Sequence, residues 1–90
     1  MKLPKTFECM GSTIKVEQGY LEKGKNGYYE HEKQLISIST ESSREIREQT
    51  FWHEVVHCIL MHLMYTELND KEQFVEQMGQ CLHQLHKTME

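Results

Sequence analysis

Ninety residues suffice for one domain with one modest core, a size at which a bound metal or a partner commonly adds stability. The formal charge of −4, with ten Lys and Arg scattered rather than gathered into a stripe, argues against a nucleic-acid-binding surface. No apolar run approaches the ~18 residues of a membrane span. Met1-Lys2-Leu3-Pro4-Lys5 leads straight into polar sequence, with no signal-peptide core, and the three cysteines show no CxxC spacing. A reduced, cytoplasmic protein is therefore expected.

The first forty residues carry period-two patterns punctuated by glycine. Thr6–Met10 and Thr13–Glu17, joined at Gly11-Ser12, predict a hairpin in which Phe7, Cys9, Ile14 and Val16 share the apolar face. Gly19 to Gly27 is a polar loop. Asn26–Glu30 and Gln34–Ser39 predict two further strands joined through His31-Glu32-Lys33, the second more apolar and hence more buried.

The second half is predicted helical. Ser42 with Glu45 forms a capping-box pattern, opening a helix from about Ser43 to Tyr65. Thr66 to Asp70 is a polar break in which Asn69 can cap a second helix, from about Asp70 to Lys87. Phe74, Val75, Met78, Leu82, Leu85 and Met89 recur on it at helical spacing, as a core face would. The expected fold is α+β: a small antiparallel sheet of three or four strands, then two antiparallel helices, in one domain spanning residues 1–90.

The first helix contains His53-Glu54-Val55-Val56-His57. Positions i and i+4 lie about 40° apart on a helix, so the two imidazoles can address one metal ion. Glu54, turned by about 100°, can reach a water on that metal. Trp52, Val55, Val56, Ile59 and Leu63 surround the motif with apolar residues, and a buried His-Glu-His cluster is costly unless it is used. Two imidazoles and a third ligand suit Zn²⁺, with water in the fourth position. Cys58 is expected to be a small core residue.

Glu72, Glu76, Gly79 and His83 fall on one stripe of the second helix, and the glycine lets that helix approach the first closely. Glu72 is then placed to be the third ligand. Glu76 can accept the free ring N–H of His53 or His57 and fix its tautomer.

The motif helix followed by Glu72-Gln73-Phe74-Val75-Glu76 resembles the gluzincin clan of zinc peptidases, in which a downstream Glu-x-x-x-Asp supplies the third ligand and a histidine-supporting carboxylate. Size and element order are similar to minigluzincins and to ImmA/IrrE-type proteins of phages and mobile elements. The resemblance implies Zn²⁺ on His53, His57 and Glu72, Glu54 as general base, and Glu76 in place of the Asp. It also implies an edge strand whose Asn26, Tyr28 and Tyr29 contact an extended peptide or protein substrate. The larger enzymes add a subdomain carrying an oxyanion-stabilising histidine or tyrosine; Tyr65 or His31 are the candidates here, and a partner protein or a second copy could complete the cleft. The alternative is a non-catalytic zinc-binding interaction module, whose closed site would use His31 or His83 as a fourth ligand. A domain without metal that uses this face for protein contacts is the remaining possibility.

Overall fold

The computed structural model describes residues 1–89. Its elements are β1 (Thr6–Cys9), β2 (Ser12–Gly19), β3 (Gly27–Glu30), β4 (Leu35–Ser39), α1 (Arg44–His62), α2 (Thr66–Asn69) and α3 (Glu72–Thr88). The α+β order of sheet then helices is the expected one.

The sheet is mixed rather than antiparallel, in the order β1-β2-β4-β3. β1 pairs antiparallel with β2, and β3 with β4, but β2 and β4 run parallel, Val16 opposite Ile36. The polar loop after β2 does not return the chain beside it. It carries β3 to the outer edge, and the β3–β4 hairpin then lays β4 back in the gap. A parallel neighbour needs a crossover longer than a tight turn, and here loop plus β3 provide it. β4 thus becomes a central strand, with Ile36 and Ile38 fully buried.

Two turns differ from their expected positions. The first hairpin turns at Met10-Gly11, both at positive φ (50° and 84°), with Cys9 opposite Ser12. Two left-handed residues match the twist of the flanking strands, so the turn lies one residue earlier than the Gly-Ser pair suggests. α1 is capped by Ser43, whose hydroxyl accepts from the Ile46 N–H at 3.3 Å. Ser42 instead donates to Asn26 Oδ1 at 2.9 Å, tying the start of α1 to the start of β3.

α1 ends at His62, short of Tyr65. Met64 adopts φ 63°, and the Tyr65 and Met64 N–H groups donate back to the Leu60 and Met61 carbonyls. This is a Schellman stop built without glycine. The expected polar break contains the short helix α2, and α3 follows with Lys71 at its cap and no side-chain capping bond.

α1 is the centre of the molecule. Phe51, Val55 and Cys58 on one side pack with Ile14, Val16, Ile36 and Ile38 of the sheet, while Val56 and Leu60 on the other meet Val75 of α3. Each such side chain contributes about 1.5–3 kcal/mol by leaving water. The buried face of α3 is Val75, Gly79 and His83. Met78, Leu85 and Met89, expected in the core, are exposed at 39%, 47% and 77%. The close approach at Gly79 rotates the polar stripe inward, and its side chains find partners on α1.

Candidate metal centre

Gly79 sets the spacing of the two helices. A Cβ built there would lie 3.0 Å from His53 Cα and 3.1 Å from His53 N, so any side chain would push the two helices apart by a few tenths of an ångström. Two turns earlier on α3, Glu72 meets both imidazoles of α1: Oε2 lies 3.3 Å from His53 Nε2, and Oε1 lies 3.2 Å from His57 Nε2. The two rings are 5.0 Å apart, centroid to centroid.

The opposite ring nitrogens are also engaged. His53 Nδ1 lies 3.0 Å from Glu76 Oε2, a carboxylate that can only accept, so a neutral ring that donates there keeps its Nε2 lone pair for a cation. His57 Nδ1 lies 2.7 Å from Asn69 Oδ1, which accepts from the ring when Nδ1 carries the proton. In the tautomer with the proton on Nδ1, both Nε2 lone pairs face the Glu72 carboxylate, three acceptors with no donor among them, an arrangement that a cation relieves.

The spacing fits such a cation. Tetrahedral Zn–N and Zn–O bonds of about 2.0–2.1 Å place ligand atoms about 3.3–3.4 Å apart; here each imidazole nitrogen has one Glu72 oxygen at such a distance, 3.3 Å to Oε2 and 3.2 Å to Oε1. His53, His57 and Glu72 could hold a metal ion. Glu72 is largely exposed and the imidazoles are mostly covered, at 69% against 20% and 16%, so the centre opens to solvent on its Glu72 side.

Glu54 is buried, 7% exposed, on the α1 turn between the two histidines. Burial pushes its carboxyl above the usual carboxylate range, His57 and His53 pull it back, and Glu72 adds to the rise. A glutamate so placed is tuned toward proton exchange nearer neutral pH.

Two adjoining clefts of about 390 and 410 Å³ flank His53 and Glu54, and Gly27 of β3 lines both. A Cβ at Gly27 would lie 2.7 Å from Ser37 O and from Thr50 Cγ2, so glycine lets the edge strand press onto α1. Since Ser39 N–H donates to Asn26 O, the alternation of the antiparallel ladder turns the backbone groups of Gly27 and Tyr29 away from β4, along the free edge. Asn26 lines one cleft; Tyr28, Tyr29 and His31 line the other.

Comparison of the chain with protein-family models, curated proteins and solved structures gives no match.

The residues singled out from sequence thus divide clearly. His53, His57, Glu72, Glu76 and Glu54 come together, with Asn26, Tyr28 and Tyr29 along the neighbouring edge. His83 does not join them: its Nε2 lies 3.1 Å from Glu48 Oε1, in a buried pair that also receives the Met1 amino group at 3.0 Å. Tyr65 is 57% exposed and lines neither cleft. His31 does line one, its Nδ1 2.7 Å from the Tyr29 hydroxyl. Asn69, whose place in the sequence predicts a helix cap, instead contacts His57 from α2, and Lys71 occupies the cap of α3.

Proposed function

We propose that the protein is a zinc-dependent peptidase of minimal gluzincin type that cleaves an extended peptide or protein segment in the cytoplasm. One observation carries the reading: two imidazole nitrogens and a carboxylate converge within 4.8 Å of one another, beside a buried glutamate, in an open groove lined by a free strand edge. A purely structural zinc site would be closed by four protein ligands. Among the described residues only His53, His57 and Glu72 converge here.

His53, His57 and Glu72 would hold a Zn²⁺ ion, which would supply Lewis acidity toward a scissile carbonyl and a water. Glu76 and Asn69 hold the two rings in the tautomer that presents Nε2. Glu54 takes the proton of the attacking water and delivers it to the leaving amine; its raised pKa suits both halves of that exchange. The Gly27 and Tyr29 backbone groups pair with the substrate as an added strand, with Asn26, Tyr28 and Tyr29 beside it. His31 faces the same cleft and is the candidate to steady the carbonyl oxygen.

The test is cleavage of a mixed peptide library, read by mass spectrometry, for the zinc-loaded protein and its Glu54→Gln variant. Loss of a general base lowers turnover by about 10²–10⁴-fold, so the variant should keep zinc and lose cleavage. A zinc-loaded native protein that cleaves nothing would favour the alternative, a non-catalytic zinc-binding interaction module. Equal cleavage by both would overturn the role of Glu54.

A further inference from the structure

A second group of ligand atoms lies between the last turns of α1 and the sheet. Cys9 of β1, Cys58 and His62 each offer one atom, and the three lie within 4.8 Å of one another. Cys58 is fully buried, while Cys9 and His62 are half-buried. Cys58 Sγ is 3.6 Å from His62 Nδ1. Tetrahedral bonds of about 2.3 Å to sulfur and 2.05 Å to nitrogen put those atoms about 3.6 Å apart.

The surroundings of His62 supply an independent observation. Its Nδ1 lies 2.8 Å from the Cys58 carbonyl oxygen and its Nε2 2.9 Å from Gln34 Oε1. The Gln34 amide cannot be turned round, because its Nε2 donates to the His31 carbonyl at 2.7 Å. A neutral imidazole has one N–H for these two acceptors, so one lone pair faces an oxygen unless a positive charge lies there. When Nε2–H donates to Gln34, the bare Nδ1 points at the Cys58 oxygen and sulfur. Gln34 then stands to His62 as Glu76 stands to His53.

We infer that Cys9, Cys58 and His62 Nδ1 form a second metal site, selective for a thiophilic cation, Zn²⁺ or Cu⁺. Two sulfurs and an imidazole suit these ions and discriminate against Mg²⁺ and Ca²⁺, which take oxygen. Burial pushes the Cys58 thiol up to about 12, so in the free protein it is protonated and a poor nucleophile. On binding, each thiol gives its proton to solvent as its sulfur bonds the metal, so affinity rises with pH. Cys81, exposed on α3, takes no part.

The two centres are separable by spectroscopy, because the one on His53, His57 and Glu72 contains no sulfur. Co²⁺ is titrated into the full chain under anaerobic conditions with a thiol-free reductant, and near-ultraviolet thiolate-to-cobalt charge-transfer absorption is followed. Absorption that saturates at one thiolate-bound Co²⁺ per chain is expected. It should persist in Glu72→Ala and Cys81→Ser, vanish in Cys9→Ser, and need at least tenfold more Co²⁺ in His62→Ala. Competition against a chromophoric Cu⁺ chelator forms the second arm: uptake of Cu⁺ that depends on Cys9, without the cobalt band, would assign the site to Cu⁺. Neither signal in the wild-type protein would overturn the inference. So would a cobalt band that survives Cys9→Ser with native far-ultraviolet circular dichroism.

Discussion

Gly79→Ala tests the contact on which the candidate centre is built. The new Cβ would sit 3.0 Å from His53 Cα and 3.1 Å from His53 N, against 3.4–4 Å for ordinary van der Waals contact. Both neighbours are backbone atoms of a buried helix, so α3 must retreat by a few tenths of an ångström. Such overpacking costs typically about 1–3 kcal/mol. Alanine recovers about 0.8–1 kcal/mol over glycine in a helix interior. The net expectation is a loss of about 1 kcal/mol in urea unfolding of the metal-free protein. Metal binding should suffer more, since the retreat draws Glu72 and Glu76 away from the imidazoles together; at least a tenfold rise in the zinc Kd is expected in chelator competition. Gly19→Ala, where a Cβ meets nothing within 4 Å, is the control. If Gly79→Ala were more stable by the full helix-propensity gain and bound zinc unchanged, the close approach would be disproved.

Other expectations follow from particular contacts. Glu76→Ala and Asn69→Ala each release one ring from its 3.0 or 2.7 Å partner. Each should weaken zinc binding by about 10–100-fold without abolishing it; an unchanged Kd in chelator competition would remove that residue from the centre. Burial alone would raise the Glu48 carboxyl, but hydrogen bonds from the amino terminus and His83 outweigh it and hold the group below its usual 4.5. That stabilisation is present above pH 4.5 and lost as pH falls through the lowered value. The stability gap between wild type and Glu48→Gln, from urea unfolding across a pH series, should therefore shrink on acidification; a constant gap would contradict the pairing. Phe51→Ala, which empties a 3%-exposed core position against Phe7, should cost about 3–5 kcal/mol by the same assay.

Much of the centre was legible because its signals are local. His53 and His57 lie one turn apart on any helix, and Glu72, Glu76 and Gly79 share a stripe on the next, so only the packing of two helices remained to be supplied. The central strand could not be read in the same way. Nothing within Leu35–Ser39 says whether it lies beside β3 alone or between β3 and β2, because pairing is decided by where a polar loop carries the chain. Met64 closes α1 in a left-handed conformation that its side chain does not advertise. The apolar spacing of Met78, Leu85 and Met89 misled for a different reason: the inward stripe of α3 is polar, and its groups are satisfied by His53, His57 and Glu48 across the interface. Asn69, Gln34 and the meeting of Cys9 with Cys58 are contacts between segments distant in sequence. Residue spacing carries no trace of them. No helix of the described residues is long and apolar enough to cross a membrane, in line with the hydropathy of the chain.

The most direct measurement is the zinc content of the wild-type protein and of Glu72→Ala, determined side by side by mass spectrometry under non-denaturing conditions after purification without chelators. A centre on His53, His57 and Glu72 predicts one zinc fewer per chain in the variant, whatever the cysteine site holds. Equal zinc in the two proteins, or none in either, would contradict it.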